Sequence, residues 1–149
     1  MRAVVQRVSE ASVSVDGQVV AAIEQGLLVF VGIARDDYPG RVRHLAKKIV
    51  ELRVFADREG RFDRSVQEVG GAILIVSQFT LYGDCRRGRR PSFAQAAAPA
   101  DARVVYEGLL DALRGYGLPV MAGMFQAHMV VASANDGPVT LLLDGEKAF

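Results

Sequence analysis

The stretch LLVFVGIA, residues 27–34, is the longest apolar run in the chain and decides the fold. It is far shorter than the roughly 20 residues that a membrane-spanning helix requires. A continuous apolar run, rather than an alternating one, is typical of a strand covered on both faces. A second run of this kind, Ala72 to Val76, leads into Ser77. The sequence therefore predicts a buried sheet with other elements packed against it.

Two amphipathic patterns supply these covering elements. The first predicts a helix from Pro39 to about Arg53, and the second predicts a helix that starts at Pro99 and ends before Gly117. Their apolar residues recur at helical spacing: Val42, Leu45, Ile49 and Leu52 in the first, and Val105, Leu109 and Leu113 in the second. We expect both helices to pack on the sheet.

Turn signals divide the remaining strands. The alternating run Ala11–Val15 ends at Asp16-Gly17, which predicts a hairpin into Gln18–Ile23. Near the other end of the chain, two strands are predicted, near residues 126–133 and 139–143. The stretch VVASANDGPVTLLL (residues 130–143) indicates that a turn at residues 135–138 joins them. The fold class is α/β with strands dominant. Since few strand–helix–strand alternations occur, a doubly wound fold is not expected.

Length and composition narrow the class of protein. The 149 residues, 50% hydrophobic and 23% charged, predict one soluble domain, residues 1–149. The N-terminal residues lack the apolar region of a signal peptide, which favours the cytoplasm. A single cysteine, Cys85, with only His44 and His128 beside it, supports neither an internal disulfide nor a zinc cluster. We expect no metal and no cofactor, and each histidine is interpreted as structural or inert.

Two polar segments are candidates for function. SQFTL, residues 77–81, emerges from the end of a buried strand, where polar side chains either present chemistry at a rim or merely cap the strand. CRRGRRPS, residues 85–92, contains four arginines, which are typical either of a solvated loop or of a phosphate-binding one. No G-x-S-x-G, H-E-x-x-H or Walker motif is present, so a conventional catalytic triad is not expected.

Five motifs together carry a family resemblance: QRVSEASVSVDG, LRVFAD, VSQFTL, GRRPSF and NDGPVT. In this order and register they resemble the D-aminoacyl-tRNA deacylase family along nearly the whole chain. The resemblance implies a compact barrel-like domain of antiparallel or mixed sheets with two main packed helices. It also implies a cytoplasmic homodimer that hydrolyses the ester between a D-amino acid, or glycine, and the 3′ end of tRNA. The expected partners are tRNA and a second copy of the chain, with no membrane involved.

The resemblance implies a role for each matching residue. Ser77, Gln78, Phe79 and Thr80 are the implied catalytic segment, in which backbone amides near Phe79 and Thr80 meet the substrate carbonyl. Because the sequence offers no activating base for Thr80, we expect it to position substrate, with the 2′-hydroxyl of tRNA assisting the attacking water. The alternative, in which Thr80 is the nucleophile, requires such a base.

Gly137, Pro138, Arg7 and Phe125 are the implied substrate-binding residues. By resemblance, the Gly137-Pro138 bond is cis and reaches into the partner's active site, braced by Arg7, so that its carbonyl oxygens reject L-amino acids. Phe125 resembles a residue that lines the pocket for the terminal adenosine. The chain departs from the family pattern at Gln126 and at Phe62-Asp63. We expect these two departures to change the local shape of the substrate pocket and not the activity.

Two other functions fit part of the sequence. A non-catalytic nucleic-acid-binding module would use the arginine-rich loop, although the chain has no Trp and only scattered Tyr and Phe for base stacking. A small-molecule-binding oligomer would place its sites between subunits. Neither would release an amino acid from D-aminoacyl-tRNA, so one deacylation assay separates all three.

Overall fold

A computed structural model describes residues 1–145 of the chain. Eight strands, two α-helices and one 3₁₀ helix follow one another within those residues. In chain order they are β1 (Arg2–Val15), β2 (Gln18–Ile23), β3 (Gly26–Gly32), α1 (Pro39–Glu51), β4 (Phe55–Ala56), β5 (Phe62–Arg64), β6 (Ala72–Ser77), the 3₁₀ helix (Phe79–Tyr82), α2 (Pro99–Arg114), β7 (Val120–Ala122) and β8 (Val130–Asp144).

Six strands form the main sheet in the order β2-β1-β3-β6-β7, with β8 paired to β1 as well. The β3–β6 and β6–β7 pairs are parallel, whereas β1 pairs antiparallel with β2, β3 and β8. The first half of β1 pairs with β3 and its second half with β2, and the sheet curls until β2 approaches β6 and β7. The predicted α/β fold, with a barrel-like mixed sheet, is confirmed.

The apolar run that decides the fold is buried on both faces, as predicted. Leu27, Val29 and Val31 belong to the core shared with both helices. Leu28 is fully buried in the opposite core, inside the curled sheet, where Phe30 also packs. The alternation of a strand divides one apolar segment between two cores. Both helices cover the same face, so the sheet is not doubly wound.

The predicted helices are present with small differences at their ends. The helix α1 begins at Pro39 and ends at Glu51, and α2 begins at Pro99 and ends at Arg114. The buried residues of each lie on one stripe, as the spacing predicted. No helix within residues 1–145 is long and apolar enough to cross a membrane.

The hairpin predicted at Asp16-Gly17 is confirmed, with both residues at positive φ (50° and 77°). The hairpin predicted at residues 135–138 is wrong. Residues 130–144 form a single strand, β8, antiparallel to β1 along its length, and the predicted strand at residues 126–129 is irregular chain. The turn residues instead form an excursion within β8, in which residues 136–139 lie opposite Arg7 alone.

Candidate active site

A cavity of about 640 Å³ lies at the carboxyl ends of the parallel strands β3 and β6. Ligands of open α/β sheets bind outside this end of the strands. Ser77, Gln78, Phe79 and Phe125 line the cavity, together with the first turn of α2 and the chain that leads into β8. Four of the sequence-predicted site residues therefore share one wall.

The predicted catalytic segment turns sharply at this wall. The Gln78 amide donates to Val31 O at 2.8 Å, which prolongs the β3–β6 pairing by one residue. The first amide that bonds back into the 3₁₀ helix is that of Leu81, which donates to Gln78 O at 3.2 Å. The amides of Phe79 and Thr80 precede this bond and have no acceptor within the turn. They are backbone donors suited to an oxyanion.

Thr80 is exposed, and it is absent from the residues that line the cavity. The side-chain amide of Gln78 donates to its hydroxyl oxygen. Within residues 1–145, the Thr80 hydroxyl makes no other side-chain hydrogen bond. The donor is the amide nitrogen of Gln78, which cannot accept a proton from the hydroxyl. The contact orients the threonine hydroxyl and supplies no general base.

Aromatic rings form part of the apolar lining of the cavity. The rings of Phe79 and Phe93 meet edge to face with centroids 5.0 Å apart, and Phe79 is 57% exposed. The ring centroids of Phe125 and Tyr106 lie 5.6 Å apart. The Arg103 guanidinium lies 4.9 Å from the centroid of the Phe125 ring. Tyr106 is buried and donates to Ile75 O at 3.2 Å, and burial raises its pKa to about 12.

Several lining residues were missed by the sequence analysis. Phe93, His128 and Met129 line the cavity, although each histidine is interpreted above as structural or inert. Gln126, named above as a departure that affects the pocket, lines the cavity too. Gln126 has a φ of 63°, in the left-handed region that disfavours most side chains. Irregular chain that turns at Gln126 thus brings His128 to the cavity. Apolar and polar residues alternate at positions 127–129, which is typical of a strand and does not indicate this turn.

The motifs SQFTL (residues 77–81) and NDGPVT (residues 135–140) are the two signatures to which the resemblance assigns the site. The second signature lies on β8, where the Gly137-Pro138 bond is cis, as the resemblance implied. Arg7 holds this excursion: its Nε donates to Asp136 O at 3.0 Å and its Nη1 donates to Val54 O at 2.6 Å. A β-carbon added to Gly137 would lie 3.1 Å from Arg7 Nη2, so the backbone approaches the guanidinium closely.

The side chain of Asn135 closes the base of the same excursion. Its Oδ1 accepts from the Val139 amide at 2.9 Å, and its Nδ2 donates to the Thr140 hydroxyl at 2.8 Å. Phe62 and Asp63, where the chain departs from the family pattern, lie near this excursion. The centre of the Phe62 ring is 5.4 Å from the Arg7 guanidinium. Asp63 is paired with Arg53 at 2.8 Å.

The two signatures are not brought together within one chain. Gly137 and Pro138 do not line the 640 Å³ cavity, whereas Arg7 and Asp136 line a separate cavity of about 290 Å³. In the described part of the chain, no three His, Cys, Asp or Glu residues are arranged to hold a metal ion. Among residues 1–145, the cavities therefore keep the two signatures apart.

The arginine-rich segment forms a loop beside the 3₁₀ helix. Asp84 and Ser92 pair across its base. The Arg86 guanidinium binds Asp84 through Nε at 2.9 Å and Nη2 at 2.6 Å, and these hydrogen bonds hold the pKa of Asp84 well below its usual range. Asp84 therefore carries its negative charge throughout the neutral range.

Comparisons with known proteins agree on one family. The family described as D-Tyr-tRNA(Tyr) deacylase matches residues 4–144. The D-aminoacyl-tRNA deacylase of Desulfitobacterium hafniense is 57% identical over 149 residues, which cover all of both chains. A solved structure described as c-Myc DNA Unwinding Element Binding Protein has a TM-score of 0.91 and 40% identity, over 97% of this chain and 98% of that one. A second, described as a "probable eukaryotic D-amino acid tRNA deacylase", has a TM-score of 0.80 at 19% identity over 95% and 97%, and supports the fold alone.

These likenesses define the class as hydrolases of aminoacyl-tRNA esters. The chain belongs to the D-Tyr-tRNA(Tyr) deacylase family. The family and enzyme class predicted from its motifs are thereby confirmed.

Proposed function

We propose that this protein hydrolyses D-aminoacyl-tRNA and glycyl-tRNA, releases the amino acid and free tRNA, and spares L-aminoacyl-tRNA. The observation that carries the proposal is the turn at Phe79 and Thr80, whose amides lack an acceptor within the turn, beside a cavity lined by Ser77 and Gln78. Its setting is the cytoplasm, and its macromolecular partner is the acceptor end of tRNA.

The chemistry needs little from side chains. Water attacks the ester carbonyl carbon, the oxyanion that forms accepts hydrogen bonds from backbone amides near Phe79 and Thr80, and the bond to the 3′-oxygen then breaks. That oxygen leaves as the 3′-hydroxyl after it takes up a proton, while the amino acid leaves as a carboxylate. The neighbouring 2′-hydroxyl assists the removal of the proton from water. Preorganised donors and fixed orientation together supply several kcal/mol of barrier reduction.

In this proposal Thr80 positions the substrate. The contact from the Gln78 amide fixes the direction of its hydroxyl, and no carboxylate or imidazole of the described residues bonds to that oxygen. A threonine nucleophile requires a base within hydrogen-bond reach. The same contact is consistent with Gln78 and Ser77 giving the site its shape.

Rejection of L-amino acids depends on the Gly137-Pro138 pair of a second copy. The excursion is braced by Arg7 and by Asn135, so its backbone atoms have a fixed direction. If its carbonyl oxygens stand against the substrate Cα, an L side chain collides with them, a D side chain points away, and glycine fits either way. Selection is then made by exclusion of one hand of the substrate.

A homodimer accounts for the separation of the two signatures. Among the described residues 1–145, β8 pairs with β1 alone, and its side chains Val130 and Leu142 are 61% and 59% exposed. Long exposed strands with apolar side chains are typical of surfaces that pair with another chain. The proposed dimer would bring Gly137 and Pro138 of one copy to the cavity of the other.

The experiment is a deacylation assay on D-tyrosyl-tRNA, glycyl-tRNA and L-tyrosyl-tRNA, with a size measurement of the protein in solution. We expect hydrolysis of the first two and slow hydrolysis of the third, by a dimer. Equal rates on D- and L-tyrosyl-tRNA would remove the chiral part of the proposal, and a monomer would remove the shared site.

A nucleic-acid-binding function remains the second candidate, because a 40% identical solved structure is described as a DNA-unwinding-element-binding protein. A protein of that kind would bind nucleic acid without releasing an amino acid from any aminoacyl-tRNA. The same assay distinguishes the two functions.

A further inference from the structure

We propose that residues 85–91, the arginine loop, bind the phosphates of the single-stranded 3′ end of tRNA that precede the terminal adenosine. This inference rests on the proposed function, because it assigns a surface to the part of the substrate next to the reacting ester. It concerns phosphate groups alone, and not the identity of any base.

The base of the loop is fixed beside the cavity. The Asp84 amide donates to Ser92 O at 2.8 Å, and the Ser92 amide donates to Asp84 O at 3.0 Å. Phe93, the next residue, lines the cavity, and the 3₁₀ helix that precedes the loop begins at Phe79, which also lines it. The arginine loop is therefore attached to the cavity wall at both of its ends.

Close packing at Gly83 confirms this attachment. A β-carbon added to Gly83 would lie 3.0 Å from Thr80 O and 3.1 Å from Phe93 Cε1, and 3.6 Å from Pro91 Cβ. The loop thus packs back on the turn that contains the proposed oxyanion donors. A ligand held by the loop lies next to that turn.

The loop carries an excess of positive charge. All four of its arginines are exposed, and one of them, Arg86, is paired with the carboxylate of Asp84. Four arginines less one carboxylate leave a charge of three. The remaining guanidiniums, those of Arg87, Arg89 and Arg90, have no ion-pair partner among residues 1–145. Folding has left them available for a ligand.

The chemistry of these groups selects phosphate. A guanidinium presents several N–H donors in a planar fork, which fits two oxygens of a phosphate. The exposed ring of Phe79 lies next to the loop base through its contact with Phe93. Basic groups beside an exposed aromatic ring are typical of surfaces for single-stranded nucleic acid, whereas duplex is bound largely through its backbone.

The test compares substrates that have and lack these phosphates. We would measure kcat and KM for D-tyrosyl-adenosine, which has no phosphate, for D-tyrosyl-CCA trinucleotide and for D-tyrosyl-tRNA. The variant is R87Q/R89Q/R90Q. The matched control, R43Q/K47Q/R58Q, removes the same charge from exposed positions outside the loop. Thermal unfolding verifies that both variants are folded.

We expect the loop variant to lose about ten-fold or more in kcat/KM on the two phosphate-bearing substrates, through KM, with D-tyrosyl-adenosine unchanged. The dependence of log kcat/KM on log salt concentration should become less steep by about 2, since each phosphate contact to a single strand contributes about 0.7. The control should change neither quantity by a comparable amount.

Three results would overturn the inference: an equal loss on D-tyrosyl-adenosine, no loss on either phosphate-bearing substrate, or an equal loss in the control. A parent protein inactive on every D-tyrosyl ester would instead show that the proposed function itself is wrong.

Discussion

Arg7 joins the carbonyl oxygen of Asp136 to that of Val54, through donors at 3.0 Å and 2.6 Å. These three residues come from three separate motifs of the sequence: QRV, NDGPVT and LRVFAD. One guanidinium therefore links segments far apart in the chain, and its side chain is only 12% exposed. Its two contacts give the Gly137-Pro138 excursion its direction.

Arg7→Lys should loosen this direction. Lysine keeps the charge but lacks the fork that bonds both carbonyl oxygens at once. We expect the ratio of D- to L-tyrosyl-tRNA hydrolysis to fall about ten-fold or more, and the free energy of unfolding to fall by about 1–3 kcal/mol. Arg114→Lys, on the exposed end of α2, is the control. An unchanged D/L ratio in Arg7→Lys would show that the brace does not affect selection.

Thr80→Ala should retain about one tenth of the parent activity if the residue only positions substrate. A lost hydrogen bond accounts for about a ten-fold decrease in kcat, since 1.4 kcal/mol corresponds to a factor of ten. Thr80→Ser, which keeps the hydroxyl, should be closer to the parent. The measurement is single-turnover deacylation followed by mass spectrometry. Near-total loss in Thr80→Ala, with an acyl-Thr80 adduct trapped in the parent, would make Thr80 the nucleophile.

Tyr106 should make the protein less stable at alkaline pH. Its pKa is raised to about 12 in the folded state by burial, against about 10 in an unfolded chain. Between these values the unfolded state has lost a proton that the folded state retains, so stability falls as pH rises. We expect this contribution to reach about 2 kcal/mol, measured as urea unfolding at pH 9 and pH 11.5.

Tyr106→Phe is the matched comparison, because it removes the titrating hydroxyl and keeps the ring against Phe125. Ile75 O would still accept from the Gly123 amide at 2.9 Å, so the variant should remain folded. Its stability should decrease less between the two pH values than that of the parent. Equal decreases in the two proteins would exclude Tyr106 as a source of the pH dependence.

Gln126→Gly should stabilise the protein slightly. Gln126 has a φ of 63°, a conformation that costs a residue with a β-carbon about 1–2 kcal/mol and glycine almost nothing. Part of this gain is offset by the greater freedom of glycine in the unfolded chain, so we expect a net increase below about 1 kcal/mol. Gln126→Ala retains the β-carbon and should show no gain in the same unfolding experiment. If Gln126→Gly is less stable than the parent while Gln126→Ala is not, the assignment of strain to this position is wrong.

The sequence predicted the parts of the fold that depend on local pattern. Periodicity and turn chemistry predicted three kinds of feature that the structure contains. They are the first residues of the two helices, Pro39 and Pro99, the hairpin at Asp16-Gly17, and the buried runs at residues 27–33 and 72–76. The second hairpin was wrong because Asp136-Gly137 has the residues of a tight turn. Its conformation is instead set by Arg7, a contact across 129 positions that no local rule contains.

The candidate site was predictable to the extent that a motif carried it. Ser77, Gln78, Phe79 and Phe125 line one cavity, and the roles that the resemblance implies for them stay predictions. Phe93 ends the GRRPSF motif, but the resemblance assigned it no role, and His128 lies outside the five motifs. Both residues reach the cavity through irregular chain. The proposed contribution of a second copy depends on an assembly, which a single-chain pattern does not describe.

The two hydrogen bonds of Asn135 have a consequence for how the protein tolerates mutation. Because this one side chain joins Val139 and Thr140 across the base of the excursion, a local contact holds the segment in addition to the contact from Arg7. We expect substitutions at exposed positions on either arm of β8, such as Val130 and Leu142, to leave the direction of Gly137 and Pro138 unchanged. The packing of the strand and the shape of the excursion can then vary in evolution through separate sets of residues.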